Sequence, residues 1–180
     1  MASRGSVIPL FVNQVWEQRP ITITDPTMTR FMMTLADAVN LVLYAFEHGV
    51  NGDIFVQKAP AATVEILTSA ILKIMKRPDH KVQIMGARHG EKLYESLLSR
   101  EEMAQAKNLG EHYCVSADQR DLNYTNYTEQ GNPAITTALH IDEYSSHNTE
   151  QLSLGGMEQL LMKLKFMQRV AAGERVLPEE

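Results

Sequence analysis

Between residues 20 and 85 the chain alternates short β-branched runs with helical stretches that carry their own start signals, and this alternation limits the fold more than any other feature. RPITITDP reads as a strand with Ile21 and Ile23 on one face, stopped by Asp25-Pro26. Thr34 and Asp37 then form a capping box, and Leu35, Val39, Val42 and Phe46 recur at helical spacing. His48-Gly49 closes that helix, with Gly49 expected in a left-handed cap. GDIFVQK alternates as a strand. Thr63 caps a second helix bearing Val64, Leu67, Ile71 and Ile74, which ends before Pro78. KVQIMG and HYCVS read as further short strands. The spacing predicts a helix over 91–98 and another starting at the Ser99/Glu102 capping box and stopping at Gly110. VIPLFVNQVW, residues 7–16, predicts a short helix with Pro9 in its first turn, where a missing N–H costs little.

Beyond about residue 118 the periodicity dissolves into a polar stretch with Gly-Asn-Pro at its middle, long for a loop inside a compact domain. A last helix follows, with an apolar stripe of Met157, Leu160, Leu161, Leu164 and Met167, ending at Gly173. The strands are short and few, so the expected class is a small mixed α/β unit with a C-terminal helix rather than a full doubly wound sheet. No glycine fingerprint follows a strand, so the usual dinucleotide-binding start is absent. No Cys/His cluster has zinc spacing.

Composition narrows the function classes. A net charge of -5 argues against wholesale binding to nucleic acid or an anionic membrane. The single cysteine, Cys114, permits no internal disulfide and fits a reducing cytoplasm. No apolar run approaches the roughly 20 residues of a membrane span, and residues 1–20 do not read as a signal peptide.

Arginine stands near two junctions between strand and helix. Arg30, in TDPTMTRFMMTLADAV, lies between a strand stop and a capped helix; Arg88, in IMGARHGEKLYES, follows a strand and a glycine, with Glu91 three residues on. Arginine's planar fork matches a pair of phosphate oxygens, and a carboxylate accepts from sugar hydroxyls. Two such arginines with one carboxylate suit the diphosphate and ribose of a nucleotide-sugar, with Arg4 a third cation. The residues alone read equally as ion-pairing surface arginines and a solvated turn with Glu91 at a helix start.

Taken together, SRGSVIPLF, ITITDPTMTRFMMTLADAV, GDIFVQKAPA, GARHGEKLYESLLSREEM, DQRDLNY and YSSHNT, in this order, closely resemble the C-terminal part of bacterial polysaccharide-biosynthesis proteins of the CapD/CapE type. These are extended short-chain dehydrogenase/reductases acting on UDP-N-acetylglucosamine as 4,6-dehydratases or epimerases. The resemblance covers nearly the whole chain. It implies a UDP-sugar-binding domain over 1–117, without the N-terminal Rossmann domain, and a family-specific extension over 118–180. It implies that Arg30 and Arg88 bind the diphosphate and that Glu91 lies near the ribose. Ser6, Val7 and Pro9 of the SVIP stretch would line the uracil pocket, with Thr24 close by. The family's NAD or NADP site and its Tyr-x-x-x-Lys pair have no counterpart here, because Tyr44 is followed four residues on by His48, Tyr113 by Ala117 and Tyr124 by Thr128. The expectation is therefore a portion that binds UDP-N-acetylglucosamine or a similar UDP-sugar without being catalytic alone, with no cofactor of its own. Its expected partners are a separate Rossmann half or further copies of itself. The alternative is a non-catalytic assembly module pairing with a full-length homologue. On either view MASRGSVIPLF reads as the middle of a longer chain.

Overall fold

The computed structural model describes residues 5–87, 89–117 and 141–176. Helix α1 (Val7–Trp16) starts at Ser6 with Pro9 in its first turn and buries Ile8, Phe11, Val12 and Val15 along one side. Strand β1 (Ile21–Ile23) buries both isoleucines and pairs in parallel with β5 (Val82–Ile84). The Gln14 side chain ties α1 to β1 by donating to Thr22 Oγ1 at 2.9 Å and accepting from Thr22 N–H at 3.2 Å.

Helix α2 (Leu35–His48) has the expected capping box: Thr34 Oγ1 accepts from Asp37 N–H, and Asp37 accepts from the Thr34 N–H. Helix α3 (Val64–Ile74) is capped by Thr63, whose Oγ1 accepts from Ile66 N–H, and it buries Leu67, Ala70, Ile71 and Leu72. Burying a side chain of the Leu or Ile class contributes about 1.5–3 kcal/mol, so this stripe is a main source of stability. It packs against α5 (Leu154–Met162), which with α6 (Lys165–Ala171) completes the core through Met157, Leu161, Met167 and Val170. Residues on both sides of the polar stretch thus share one core.

The remaining strands form small antiparallel units. β2 (Thr29–Phe31) pairs with β4 (Ala61–Thr63); β3 (Ile54–Gln57) pairs with β8 (His112–Val115), which also takes β7 (Lys107–Asn108); β6 (Ser96–Leu98) pairs with β9 (Tyr144–Ser145). Helix α4 (Arg100–Gln105) carries the second capping box, Ser99 with Glu102.

Four expectations need correction. Residues 91–98 are not a helix: they run through turns into β6, because their backbone is engaged by β2 and β9. Gly49 ends α2 in extended backbone, at φ -83° and ψ 150°, not in a left-handed cap. The last helix is two helices, broken where Leu164 takes φ -86° and ψ 121°. The helix after Ser99 stops at Gln105, short of Gly110, and β7 begins at Lys107. The polar stretch over 118–140 lies outside the described residues, but its end does not: Tyr144, Ser145 and Ser146 are buried.

Candidate functional site

The residues singled out at Thr24, Arg30 and Glu91 come together at the edge of β2. Thr24 leaves β1, Arg30 sits in the middle of β2, and Glu91 precedes the segment that runs alongside β2. Thr24 Oγ1 donates to Glu91 Oε1 at 3.2 Å, closing a link across 67 residues of sequence. The Met28 sulfur lies 3.3 Å from Thr24 Oγ1 and 3.6 Å from Arg30 Nη2, so it bridges the two.

Arg30 is the organising cation. Its Nη1 donates to Thr29 O at 2.8 Å and to Leu93 O at 3.3 Å, and its Nη2 donates to Lys92 O at 3.0 Å. Nε points toward Glu95 Oε1 at 3.9 Å, a loose ion pair between two partly exposed groups. The fork therefore fixes the chain immediately after Glu91, and its Nε edge is the part least engaged by backbone. Arg88 lies outside the described residues.

Behind this edge is a buried polar joint that local sequence did not announce. Ser146 Oγ donates to Thr29 O at 3.1 Å, lies 2.9 Å from Thr29 Oγ1, and accepts from Glu95 N–H at 2.9 Å. Ser146 N–H donates to Glu95 O at 2.8 Å, Thr29 N–H to Leu93 O at 3.0 Å, and Phe31 N–H to Glu95 Oε2 at 3.1 Å. Ser146 is fully buried, so its bonds to Thr29 are made in place of water. Ser146 joins Thr29 and Glu95, 117 and 51 positions away; the YSSHNT stretch was the sequence signal pointing there.

The SVIP residues are placed differently. Ser6 is the N-cap of α1 and Val7 is partly exposed on its first turn, while Ile8 and Pro9 are buried in the core. Two cavities lined by described residues lie elsewhere. One, about 440 Å³, is lined by Lys58, Tyr113, Tyr144 and Asn148 with the carboxylates of Glu111 and Glu143 among others; the other, about 370 Å³, lies among Trp16, Met75, Arg77 and His80. Neither is lined by Thr24, Arg30 or Glu91. Burial raises the Cys114 thiol above its ordinary range, which suits a packed side chain rather than a nucleophile.

Among the described residues no glycine-rich turn leads from a strand into a helix. Helices α2, α3 and α4 are capped instead by Thr34, Thr63 and Ser99, each side chain accepting from one N–H of the first turn. No group of three His, Cys, Asp or Glu side chains among the described residues is placed to hold a metal ion. No helix among them is long and apolar enough to cross a membrane.

Comparison with known proteins gives this geometry a context. Residues 1–117 match a family model described as "Polysaccharide biosynthesis protein", and residues 118–168 match one described as "Polysaccharide biosynthesis protein C-terminal". Proteins named UDP-glucose 4-epimerase from Rickettsia canadensis and Rickettsia bellii are each 52% identical over 168 residues, covering 93% of this chain and 48% of their own. The crystal structure of Pen from Bacillus thuringiensis superposes with a TM-score of 0.71 at 30% identity, covering 91% of this chain and 46% of that one. The chain thus spans about half the length of the curated relatives it matches.

Proposed function

The chain belongs to the polysaccharide biosynthesis protein family, corresponding to a C-terminal part of its longer members, and from that premise we propose that it is the UDP-sugar-binding portion of a nucleotide-sugar epimerase or 4,6-dehydratase. In this reading Arg30 and Arg88 meet the diphosphate, Glu91 accepts from ribose hydroxyls, and Thr24 orients Glu91. The ligand is a UDP-hexosamine such as UDP-N-acetylglucosamine, and the place of work is the cytoplasm. The single observation that carries it is the Thr24–Glu91–Arg30 cluster. A carboxylate is oriented by a hydroxyl, and the strand that supplies the hydrogen-bonding cation also fixes the loop bearing that carboxylate.

The chemical division of labour follows from what these groups are. The Arg88 guanidinium and the Nε edge of Arg30 neutralise the diphosphate charge and hold its register. An oriented carboxylate selects a vicinal diol by two accepted hydrogen bonds. Hydride transfer at the sugar needs a nicotinamide cofactor, which in this reading is held by the other half of the longer relatives, and this chain's contribution is to bind and orient.

Calorimetric titration with UDP-N-acetylglucosamine tests the reading. Glu91→Gln and Arg88→Met are each expected to weaken binding about tenfold or more, since a hydrogen bond to a charged group contributes about 1.5–3 kcal/mol. Unchanged affinity in both variants, with the protein folded, contradicts it.

A further inference from the structure

The segment 144–152 is bonded both to β4, the partner of β2, and to the residues that follow Glu91. On the β4 side, Thr149 Oγ1 donates to Ala59 O at 2.9 Å, Ala61 N–H to Glu150 O at 2.8 Å and Leu152 N–H to Ala61 O at 2.8 Å. On the other side, Ser145 pairs with Ser96, and the His147 and Tyr94 rings lie 5.9 Å apart between centroids. The backbone of Ser146 is fixed in both directions: its N–H donates to Glu95 O at 2.8 Å, and its carbonyl accepts from Gln151 Nε2 at 2.9 Å.

The Ser146 hydroxyl has one donor and two acceptor positions, and all three are used. It donates to Thr29 O at 3.1 Å and accepts from Glu95 N–H at 2.9 Å. With its proton on Thr29 O, it accepts from Thr29 Oγ1 at 2.9 Å. Thr29 O is also an acceptor for Arg30 Nη1 at 2.8 Å, so Ser146 stands one carbonyl away from the guanidinium. Glu95 follows the two residues whose carbonyls take the rest of the Arg30 fork, and Glu91 precedes them. One buried oxygen therefore ties β2 to the segment 91–95.

We propose that Ser146 is a positioning residue of the ligand site, setting the separation between Arg30 on β2 and Glu91 on the segment alongside. This role rests on the nucleotide-sugar reading and adds to it a residue from beyond position 140. A ligand held at its diphosphate and its ribose together makes both sets of bonds only if the cation and the carboxylate keep their separation to within about 0.5 Å. Arg30 also bonds across this gap, but its guanidinium is shared with the ligand. Ser146 bridges the gap from a buried position, out of reach of the ligand.

Calorimetric titration of the full chain with UDP-N-acetylglucosamine, in a double-mutant cycle, tests the role. Ser146→Ala and Glu91→Gln are each expected to weaken binding about tenfold. Together they are expected to weaken it about tenfold again rather than about a hundredfold, because Ser146 acts through the placing of Glu91. Ile71→Val, in the core away from the site, controls for lost stability. It lowers the urea midpoint and leaves the affinity at the wild-type value. If Ser146→Ala does not fold, Thr29→Val takes its place in the cycle, since it removes the Oγ1 contact and keeps the side-chain shape. Wild-type affinity in the substituted chain, losses that multiply across the cycle, or an equal loss in Ile71→Val each overturn the positioning role and leave the ligand reading standing. A folded wild-type chain that takes up no UDP-sugar overturns the ligand reading, and this role with it.

Discussion

Arg30 is held in place by three carbonyl oxygens that accept from its guanidinium. Thr29 O, Lys92 O and Leu93 O converge on one guanidinium, which shows how the first residues of β2 hold the segment after Glu91. Ser146 does the same from the other side, serving Thr29 and Glu95 from a position with no access to water. Removing its hydroxyl leaves buried groups of Thr29 and Glu95 without a partner, at a cost of about 1–3 kcal/mol. Ser146→Ala is therefore expected to lower the urea midpoint while leaving the m-value unchanged, and a midpoint equal to wild type contradicts the joint. The same substitution loosens residues 93–95 without touching Arg30 or Glu91 directly.

At the scale of elements, α2 depends on its cap more than the buried helices do. The Thr34 hydroxyl, by hydrogen bonding, holds the Asp37 carboxyl below its ordinary range. A carboxyl lowered in the folded state contributes stability that is present above its unfolded value and lost as pH falls through the folded value. The cap therefore weakens in the acid range below about pH 4. Asp37→Asn is expected to show a smaller loss of thermal stability between pH 6 and pH 3 than wild type; an identical loss contradicts this account. Both capping boxes and the Thr63 cap were legible in the sequence because each is settled within four residues. So were α1, the face of α3 and strands β1, β3, β5 and β8. What local pattern missed was fixed at a distance. Thr29-Arg30-Phe31 and Ala61-Ala62-Thr63 become strands by pairing with each other. Glu91–Leu98 has good helix formers, but the bonds of Leu93, Glu95 and Ser96 to β2 and to residues 145–146 outweigh that propensity. The C-terminal stripe continues across Leu164 in sequence, although the backbone turns there to lay α6 back on the core.

For the molecule as a whole, α1, α3, α5 and α6 form an interior that the chain completes by itself, while α2 and its apolar stripe face outward. That asymmetry matches a chain spanning about half the length of its relatives. The candidate site was legible as residue types and spacing at Arg30 and Glu91, and as a resemblance for Thr24. Its assembly was not, because Met28, Glu95 and Ser146 join it only through the fold. The two cavities lined by described residues lie away from it, so the account makes a claim about location as well as affinity. Residue-resolved amide shift mapping during titration with UDP-N-acetylglucosamine tests that claim most directly. The account predicts that the shifts gather at Thr24, Arg30 and residues 89–95. Shifts confined to the cavity around Lys58, Tyr113 and Asn148, or none at all in the folded protein, would contradict it.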